Sequence, residues 1–337
     1  MDYKLSVIIP TFNAETYLID AVNSVKNQTL GFENIELILV DDNSTDNTKN
    51  ILSDLSSKYP NVISILSKGN SGTASAPRNH GIEKASADYI MFLDNDDEYY
   101  PEMCETMYEA VTFNNADTVT CRYDIVKNNI INKPKSFLDT YPNFIKLNNI
   151  DEFPDLMTLG FPTMIWTKIF KKNIILENNI EFPVGHLYED VYFSTKAYLY
   201  AKKNVILNNF YGYKYNVRVT GDSKSTSQVF TKNLVEKQLN GFLDVMKLIG
   251  NNKKYHFLWN EIIVDMSKIY LYSSLNKGYQ EYFLETMKPY YKKYKLNSKL
   301  HTAGLPFNIL INIFIKIFSY SDFLAILISN TYSYFKK

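Results

Sequence analysis

The first 125 residues alternate short apolar runs with amphipathic helical patterns, and this alternation constrains the fold more than any other feature of the sequence. The apolar runs are rich in β-branched residues, which is typical of buried strands. The predicted strands are Leu5–Ile9, Ile35–Val40, Val62–Leu66, Tyr89–Leu93 and Asp117–Cys121, and the predicted helices are Ala14–Asn27, Asp46–Lys58, Ala76–Lys84 and Glu102–Phe113. Strands that alternate with helices form βαβ units around a mainly parallel sheet, so we expect an α/β fold.

Polar segments follow the first four predicted strands. They are Pro10–Glu15, Asp41–Asp46, Ser67–Gly72 and Asp94–Glu98. In an open parallel sheet, ligands bind beyond the carboxyl ends of the strands. We therefore expect these four loops to converge on one crevice.

Composition excludes several classes of protein. With 337 residues, 45% hydrophobic and 21% charged, the chain has enough apolar residues for a sizeable core and is neither disordered nor a disulfide scaffold. Cys104 and Cys121 lack CxxC spacing and a partner histidine, which predicts reduced core residues and excludes thiol and zinc chemistry. The chain enters an apolar strand directly after Lys4, and no apolar run reaches the ~18 residues of a membrane span. We expect a cytoplasmic protein.

Four acidic side chains lie within the five residues Asp94–Glu98, at the end of a predicted buried strand. Carboxylates this close together need a counter-charge, and a divalent cation is a natural one. In a D-x-D spacing, one carboxylate can hold the ion while another binds a ligand hydroxyl. The alternative is a solvated acidic turn that precedes the helix beginning near Pro101.

Two further segments carry groups suited to a nucleotide. Ser44 is a candidate N-cap, which leaves one aspartate of the Asp41-Asp42 pair to accept the N3–H of a pyrimidine or a ribose hydroxyl. Arg78 is one of only three arginines and follows Pro77 in the first turn of a predicted helix. The alternative for Arg78 is a surface ion pair, which contributes ~0–1 kcal/mol.

Taken together, these segments resemble the family 2 glycosyltransferases of GT-A fold. The segments are Ser6–Asn13 with Tyr17, Val40–Asp46, Asn70–Gly81 and Phe92–Asp97. Asn70–Asn79 and the later Glu189-Asp190 resemble in particular the bacterial enzymes that glycosylate wall teichoic acid and related capsular polymers. The resemblance implies a Rossmann-like, mainly parallel central sheet flanked by helices, with a helical C-terminal region.

The resemblance also implies roles for individual residues. The implied donor-nucleotide residues are Pro10, Thr11, Asn13, Glu15, Asp42, Asn70, Arg78, Asp94 and Asn95. Asp96 would bind Mn²⁺ or Mg²⁺, and Arg218 with Ser225 and Thr226 would form a loop that closes on the diphosphate. Asp190 would be the general base, with Glu189 as the second candidate. Without the resemblance, an acidic helix start is the favoured interpretation of Glu189-Asp190 over catalysis.

An acceptor hydroxyl is a poor nucleophile at neutral pH, so a carboxylate must take its proton as the new glycosidic bond forms. One base and one metal ion suffice for a single displacement with inversion. We therefore expect an inverting, metal-dependent hexosyl- or N-acetylhexosaminyltransferase. Its donor would be a UDP-sugar, and its acceptor a hydroxyl of a teichoic-acid-like, capsular or lipid-linked saccharide.

Two other functions remain open at this stage. A sugar-1-phosphate nucleotidyltransferase also combines a parallel sheet with acidic metal ligands, but it normally carries a glycine-rich basic loop after the first strand, where this chain has Pro10–Asn13. A non-catalytic polysaccharide-binding module would need no base at Asp190.

Charge differs between the two parts of the chain, with −12 over residues 1–120 and +12 over residues 121–337. We predict a nucleotide-sugar half at 1–125, an acceptor half at 126–230 and a helical region at 231–337. Residues 246–337 hold 13 lysines against five acidic residues, which favours an anionic partner such as a polyol-phosphate acceptor or the inner face of a membrane. The segments 305–318 and 323–335 predict an interfacial hairpin or, as we favour, an apolar seam buried in protein or in a homo-oligomer. No module typical of nucleic-acid binding is present.

Overall fold

The structure is a computed structural model that describes residues 2–134, 139, 141–148, 164–218 and 232–250. The chain forms two compact units, the first made of residues 1–153 and 162–226 and the second of residues 154–161 and 227–337. The predicted division into 1–125, 126–230 and 231–337 stays a prediction. The segments 305–318 and 323–335 lie outside the described residues.

The strands of the first unit are β1 Leu5–Thr11, β2 Ile35–Asp41, β3 Val62–Leu66, β4 Tyr89–Phe92, β5 Glu98–Tyr99, β6 Thr118–Lys127, β7 Ile130–Asn132, β8 Phe144–Leu147, β9 Lys168–Lys171 and β10 Asn204–Asn216. Its helices are α1 Leu18–Lys26, α2 Thr48–Lys58, α3 Ser75–Lys84, α4 Met103–Phe113, α5 Lys172–Glu177 and α6 Glu189–Tyr200. Short 3-10 helices span Phe32–Asn34 and Ile165–Thr167. The predicted strands and helices of the first 125 residues are confirmed, with boundaries that differ by a few residues.

All ten strands form one sheet in the order β3-β2-β1-β4-β9-β6-β10-β5, with β7 beside β6 and β8 beside β10. The half made of β1 to β4 is parallel, as the βαβ pattern predicted. β9 runs antiparallel to both β4 and β6, so the sheet as a whole is mixed. The strands responsible lie mostly beyond residue 125, where the alternation that signals parallel strands has ended. The α/β prediction is confirmed.

α3 packs closely on β1. Every residue of β1 and β2 is buried, as expected of parallel strands that are covered on both faces. A Cβ atom added at Gly81 of α3 would lie 2.4 Å from Ile8 Cγ2 of β1, so only glycine allows this approach. The first turn of α3, which carries Arg78, is thereby held at the carboxyl ends of the strands.

An aromatic cluster anchors α6 to the sheet. Phe193 of α6 stacks on Phe182 with ring centroids 4.0 Å apart, and both rings meet Phe92 of β4 edge to face. Phe170 of β9 makes a further edge-to-face contact with Phe193. Because Asp190 lies one helical turn before Phe193, this cluster places it next to the carboxyl end of β4.

Both cysteines are buried and free, as predicted. Burial raises the pKa of the Cys104 thiol, and it raises the pKa of Cys121 to about 12, so neither is a thiolate at neutral pH. In the second unit the structure describes one helix, α7 Lys232–Ile249, on which Leu239, Phe242 and Met246 are buried at helical spacing. None of the helices in the described ranges has the length and apolarity that crossing a bilayer requires.

Candidate active site

The loops after β1 and β2 hold each other through their side chains. The Asn13 amide N–H donates to Ser44 Oγ at 2.9 Å, and Asn13 Oδ1 accepts the N–H of Thr45 at 2.9 Å. Asn13 has a left-handed backbone with φ of 47°, which asparagine adopts more readily than most residues. Glu15 Oε2 accepts the N–H of Asn47 at 2.9 Å, just before α2 begins. Both residues, predicted to bind the donor, thus also join these two loops.

Asp42 lies at the centre of the predicted uridine side and is 4% exposed. Its carboxylate accepts the N–H of Ser71 at 2.9 Å and the Ser71 hydroxyl at 3.0 Å. Asn70 Nδ2 donates to the Asp42 carbonyl at 3.1 Å, and the Asp42 N–H donates to the Thr11 carbonyl at 2.8 Å. The structure therefore brings Thr11, Asp42 and Asn70 together in one wall. Ser71, which sequence reasoning did not single out, orients the carboxylate.

Each carboxylate of the Asp94–Glu98 cluster has its own partner. Arg78 Nη2 donates to Asp94 Oδ1 at 2.8 Å, and Arg218 Nε donates to Asp96 Oδ2 at 2.7 Å. The Lys214 ammonium lies 3.2 Å from Glu98. The counter-charge that the cluster requires is thus supplied in this structure by basic residues. Lys214 lies near the end of β10, and Arg218 lies two residues beyond it.

Asp97 is a member of this cluster to which the sequence analysis assigned no role of its own. It is 1% exposed, accepts the Tyr213 hydroxyl at 2.7 Å and accepts the N–H of Asn216 at 2.7 Å. Burial, together with Asp96 and Asp94, raises its pKa well above the usual range. Asp97 therefore ties the end of β10 to this loop and holds Asp96 and Arg218 near each other. Its only sequence signal was its place in the acidic run.

A second unpredicted feature is a stack of aromatic rings beside Asp97. Trp166 stacks on Tyr213 with ring centroids 4.2 Å apart and lies parallel to Tyr215 at 5.9 Å. Tyr123 of β6 contacts Trp166 edge to face at 4.9 Å. The alternate tyrosines of β10 were the available signal, because successive odd positions of a strand face the same side.

The donor set near Asp96 suits a hard divalent cation. Burial, and the nearby Asp94 carboxylate, raise the pKa of Asp96, while Arg218 lowers it. A cation would relieve that burial cost in the same way as the guanidinium does, and carboxylate oxygen is the ligand that Mg²⁺ and Mn²⁺ prefer. Within the described ranges, no cluster of three or more His, Cys, Asp or Glu side chains has metal-binding geometry. The assignment of a metal ion to Asp96 stays a prediction.

Arg78 is nearly inaccessible, with 5% of its surface exposed. Besides Asp94, its guanidinium contacts Glu189, with Nη1 2.8 Å from Oε1. Burial acts to lower the pKa of Arg78, but the two carboxylates outweigh it and raise that pKa. The predicted contact of Arg78 with the nucleotide stays a prediction. Its two terminal nitrogens are engaged by protein carboxylates.

Asp190 is half-buried in the first turn of α6, two residues after Tyr188, whose backbone is left-handed with φ of 62°. The N–H of Val191 donates to Asp190 Oδ1 at 2.8 Å. Burial, followed by the neighbouring Glu189, raises the pKa of Asp190 to about 7, against the lowering effect of Arg78. A carboxylate that ionises near neutral pH is suited to general base catalysis.

Of the remaining predicted positions, the structure describes Asn95 and Arg218. Asn95 Nδ2 donates to the Pro10 carbonyl at 3.0 Å, so the loops after β1 and β4 are joined. Arg218 reaches Asp96 and also lies over the ring of Tyr17, with its guanidinium carbon 5.0 Å from the centroid. Ser225 and Thr226 lie outside the described residues. The structure therefore joins all four predicted loops with α6 and the end of β10.

Comparisons with known proteins identify the family of this chain. The profile of "Glycosyl transferase family 2" matches residues 6–173. The chain is 31% identical to the poly(ribitol-phosphate) beta-N-acetylglucosaminyltransferase TarP of Staphylococcus aureus over 303 residues, which cover 88% of this chain and 83% of TarP. It is 35% identical to the poly(ribitol-phosphate) beta-glucosyltransferase of Bacillus spizizenii over 233 residues, which cover 68% of this chain but only 35% of that relative.

A solved structure shares the fold. The crystal structure of S. aureus TarS 1-349 in complex with UDP-GlcNAc superimposes with a TM-score of 0.68 at 21% identity, and the match covers 87% of this chain and 81% of that one. The match shows that the two chains share the same fold.

Proposed function

Because the chain belongs to glycosyl transferase family 2 and is a glycosyltransferase, we propose that it transfers a sugar from a UDP-sugar to a hydroxyl of a polyol-phosphate polymer, with inversion and with a divalent metal. The observation that carries this proposal is Asp190. It is a half-buried carboxylate with a pKa of about 7, located beside the Arg78–Asp94 pair at the carboxyl end of the sheet.

The donor is proposed from the polar wall on the β1–β2 side. Asp42 presents a carboxylate that accepts hydrogen bonds, as recognition of the N3–H of uracil requires. Thr11 and Asn70 lie on either side of it, and Asn13 and Glu15 keep the adjoining loops in place. TarS, which shares the fold, was crystallised with UDP-GlcNAc, and this supports a UDP-sugar.

Asp190 is proposed to remove the proton from the acceptor hydroxyl. Its pKa of about 7 lets it accept a proton at neutral pH without being permanently protonated. Glu189, the second candidate, has its charge engaged by Arg78 at 2.8 Å, which favours Asp190. A single base is enough for one displacement at the anomeric carbon, and one displacement inverts its configuration.

The leaving nucleoside diphosphate needs positive charge. Asp96 would hold Mn²⁺ or Mg²⁺, which supplies that charge when bound, and family 2 enzymes generally use such ions. Arg218 is placed to contribute as well, since it already lies at Asp96 at the end of β10. Ser225 and Thr226 are proposed to follow it toward the diphosphate.

The acceptor is proposed from charge and from the relatives. TarP and the Bacillus enzyme are both named as poly(ribitol-phosphate) transferases. A polyol-phosphate chain is anionic, and residues 246–337 carry a surplus of eight positive charges. A panel of acceptors would also detect transfer to capsular or lipid-linked saccharides. Vesicle binding would detect contact with an anionic membrane surface, and size-exclusion chromatography would detect self-association through the C-terminal region.

The test is release of UDP from UDP-GlcNAc or UDP-glucose in the presence of poly(ribitol phosphate) and Mn²⁺. We expect Asp190→Asn to lose about a hundredfold or more in turnover while UDP affinity, measured by calorimetry, is retained. Asp20→Asn is the matched control, because Asp20 is an exposed carboxylate in the first turn of α1. Normal turnover of the Asp190 variant would refute the proposed base. Loss of manganese-dependent UDP binding in Asp96→Ala tests the metal role, and unchanged binding would remove it.

The two alternative functions have separate signatures in parallel assays. A nucleotidyltransferase would release pyrophosphate from UTP and a sugar-1-phosphate, and a binding module would retain the polymer without releasing UDP. Either result in place of UDP release would overturn the proposal.

A further inference from the structure

One buried guanidinium joins three separate segments of the first unit. Arg78 on α3 donates from Nη2 to Asp94, which follows β4, and from Nη1 to Glu189, which opens α6, both at 2.8 Å. The planar fork of arginine suits two partners held at fixed directions, whereas the ammonium of lysine is a single point charge. The guanidinium therefore fixes α6 relative to the loop after β4.

The surroundings of this bridge restrict its movement. Arg78 is 5% exposed, and its guanidinium carbon lies 5.5 Å from the centre of the Phe182 ring. Phe182 in turn stacks on Phe193 of α6. Breaking one half of a buried ion pair leaves an uncompensated charge, which is strongly unfavourable. The bridge is thus a rigid support directly beside Asp190, the residue after Glu189.

We propose that Arg78 is a positioning residue for sugar transfer, which holds Glu189 and the first turn of α6 so that Asp190 faces the acceptor hydroxyl. Glu189 is then the anchor of Arg78 and not a second base. This inference rests on the proposed function, because it takes Asp190 as the base. It also assigns Arg78 a role that needs no contact with the nucleotide.

The inference can be tested through the pKa of Asp190, because this pKa depends on the charged side chains that face the residue. They are Glu189 on its own helix, Arg78 on α3, Asp94 after β4 and Lys168 on β9. Arg78 lowers the pKa of Asp190, and Glu189 raises it. Removing Arg78 should therefore move the acid limb of the pH–rate profile to higher pH, and removing the charge of Glu189 should move it to lower pH.

The experiment compares Arg78→Lys, Arg78→Met and Glu189→Gln with the wild-type enzyme, using calorimetric UDP affinity and kcat between pH 5.5 and 9. We expect UDP affinity within about twofold of wild type in all three variants. The kcat of Arg78→Met should fall about a hundredfold because the base is misplaced, and Arg78→Lys should restore little of it. The acid limb of the pH–rate profile should shift to higher pH in Arg78→Met and to lower pH in Glu189→Gln.

Arg122→Met is the matched control. Arg122 is equally buried and pairs with Asp139 at 3.0 Å, and its loss should leave the acid limb of the pH–rate profile in place.

A more than tenfold loss of UDP affinity in Arg78→Lys or Arg78→Met would overturn the inference and make Arg78 a nucleotide ligand. The inference would also be overturned if the acid limb of the pH–rate profile stayed in place in Arg78→Met and Glu189→Gln, or moved in the same direction in both. If Arg78→Met does not fold, Glu189→Gln alone decides, because it leaves the Arg78–Asp94 pair intact. A wild-type enzyme without transfer would instead refute the proposed function.

Discussion

Replacing Asp190 with asparagine should inactivate the enzyme and at the same time stabilise its first unit. The pKa of Asp190 is raised from 3.8 to about 7, so the folded state binds this proton more tightly than the unfolded chain. The unfolded chain loses its proton near pH 4 and the folded one near pH 7. Stability from this group is therefore greatest below pH 4, falls as the pH rises to 7, and stays low above it.

The size of the effect follows from the shift. About 1.4 kcal/mol per pKa unit gives about 4 kcal/mol as the upper limit for the cost of ionised Asp190 above pH 7. Asp190 is half-buried, and solvent screening reduces this to about 1–3 kcal/mol. Asparagine carries no charge, and its amide oxygen can still accept the N–H of Val191. We expect the variant to gain this amount at pH 8 and almost nothing at pH 4.

The assay is urea unfolding followed by tryptophan fluorescence at several pH values. Trp166 belongs to the first unit and Trp259 to the second, so a Trp259→Phe background reports on the first unit alone. The exposed control Asp20→Asn should show a stability difference that does not change over the same pH range. An Asp190→Asn variant that is less stable at pH 8, or whose difference from wild type is independent of pH, would refute the buried-charge reasoning. In the wild type, the acid limb of turnover should have its midpoint at about pH 7.

Two further substitutions test the packing and the metal site. Gly81→Ala should lower the free energy of unfolding by about 1–3 kcal/mol in the urea assay, because its Cβ would overlap Ile8, whereas Gly69→Ala meets no atom within 4 Å and should have little effect. An equal loss in both variants would contradict the close approach of α3 to β1. Arg218→Ala should bind Mn²⁺ more tightly in the absence of nucleotide, as electron paramagnetic resonance of the free ion can measure, because the guanidinium no longer holds Asp96. Weaker or unchanged Mn²⁺ binding would place the metal elsewhere.

Local sequence was sufficient to predict that the loops carrying Asp42 and Asn70 meet, because each follows a strand of a regular βαβ series, and parallel strands end at one edge of a sheet. The donor-binding roles of these two residues were implied by the family resemblance and stay a prediction. Their contact in the structure, from Asn70 Nδ2 to the Asp42 carbonyl, follows from that geometry. The mixed half of the sheet was not predicted, since β9 pairs with β4 and β6 by long-range contacts that leave no periodic signal.

The amino-acid sequence by itself determined the order of β1 to β4 and of the helices between them, the carboxylates at the strand ends and the presence of a basic C-terminal region, because these depend on residue type and spacing. Only the tertiary structure decided which charges meet. Arg78 pairs with Glu189, 111 positions away, and Asp96 with Arg218, 122 positions away. The pKa of Asp190 was decided in the same way, because desolvation and neighbouring charges arise only when distant segments pack around a side chain.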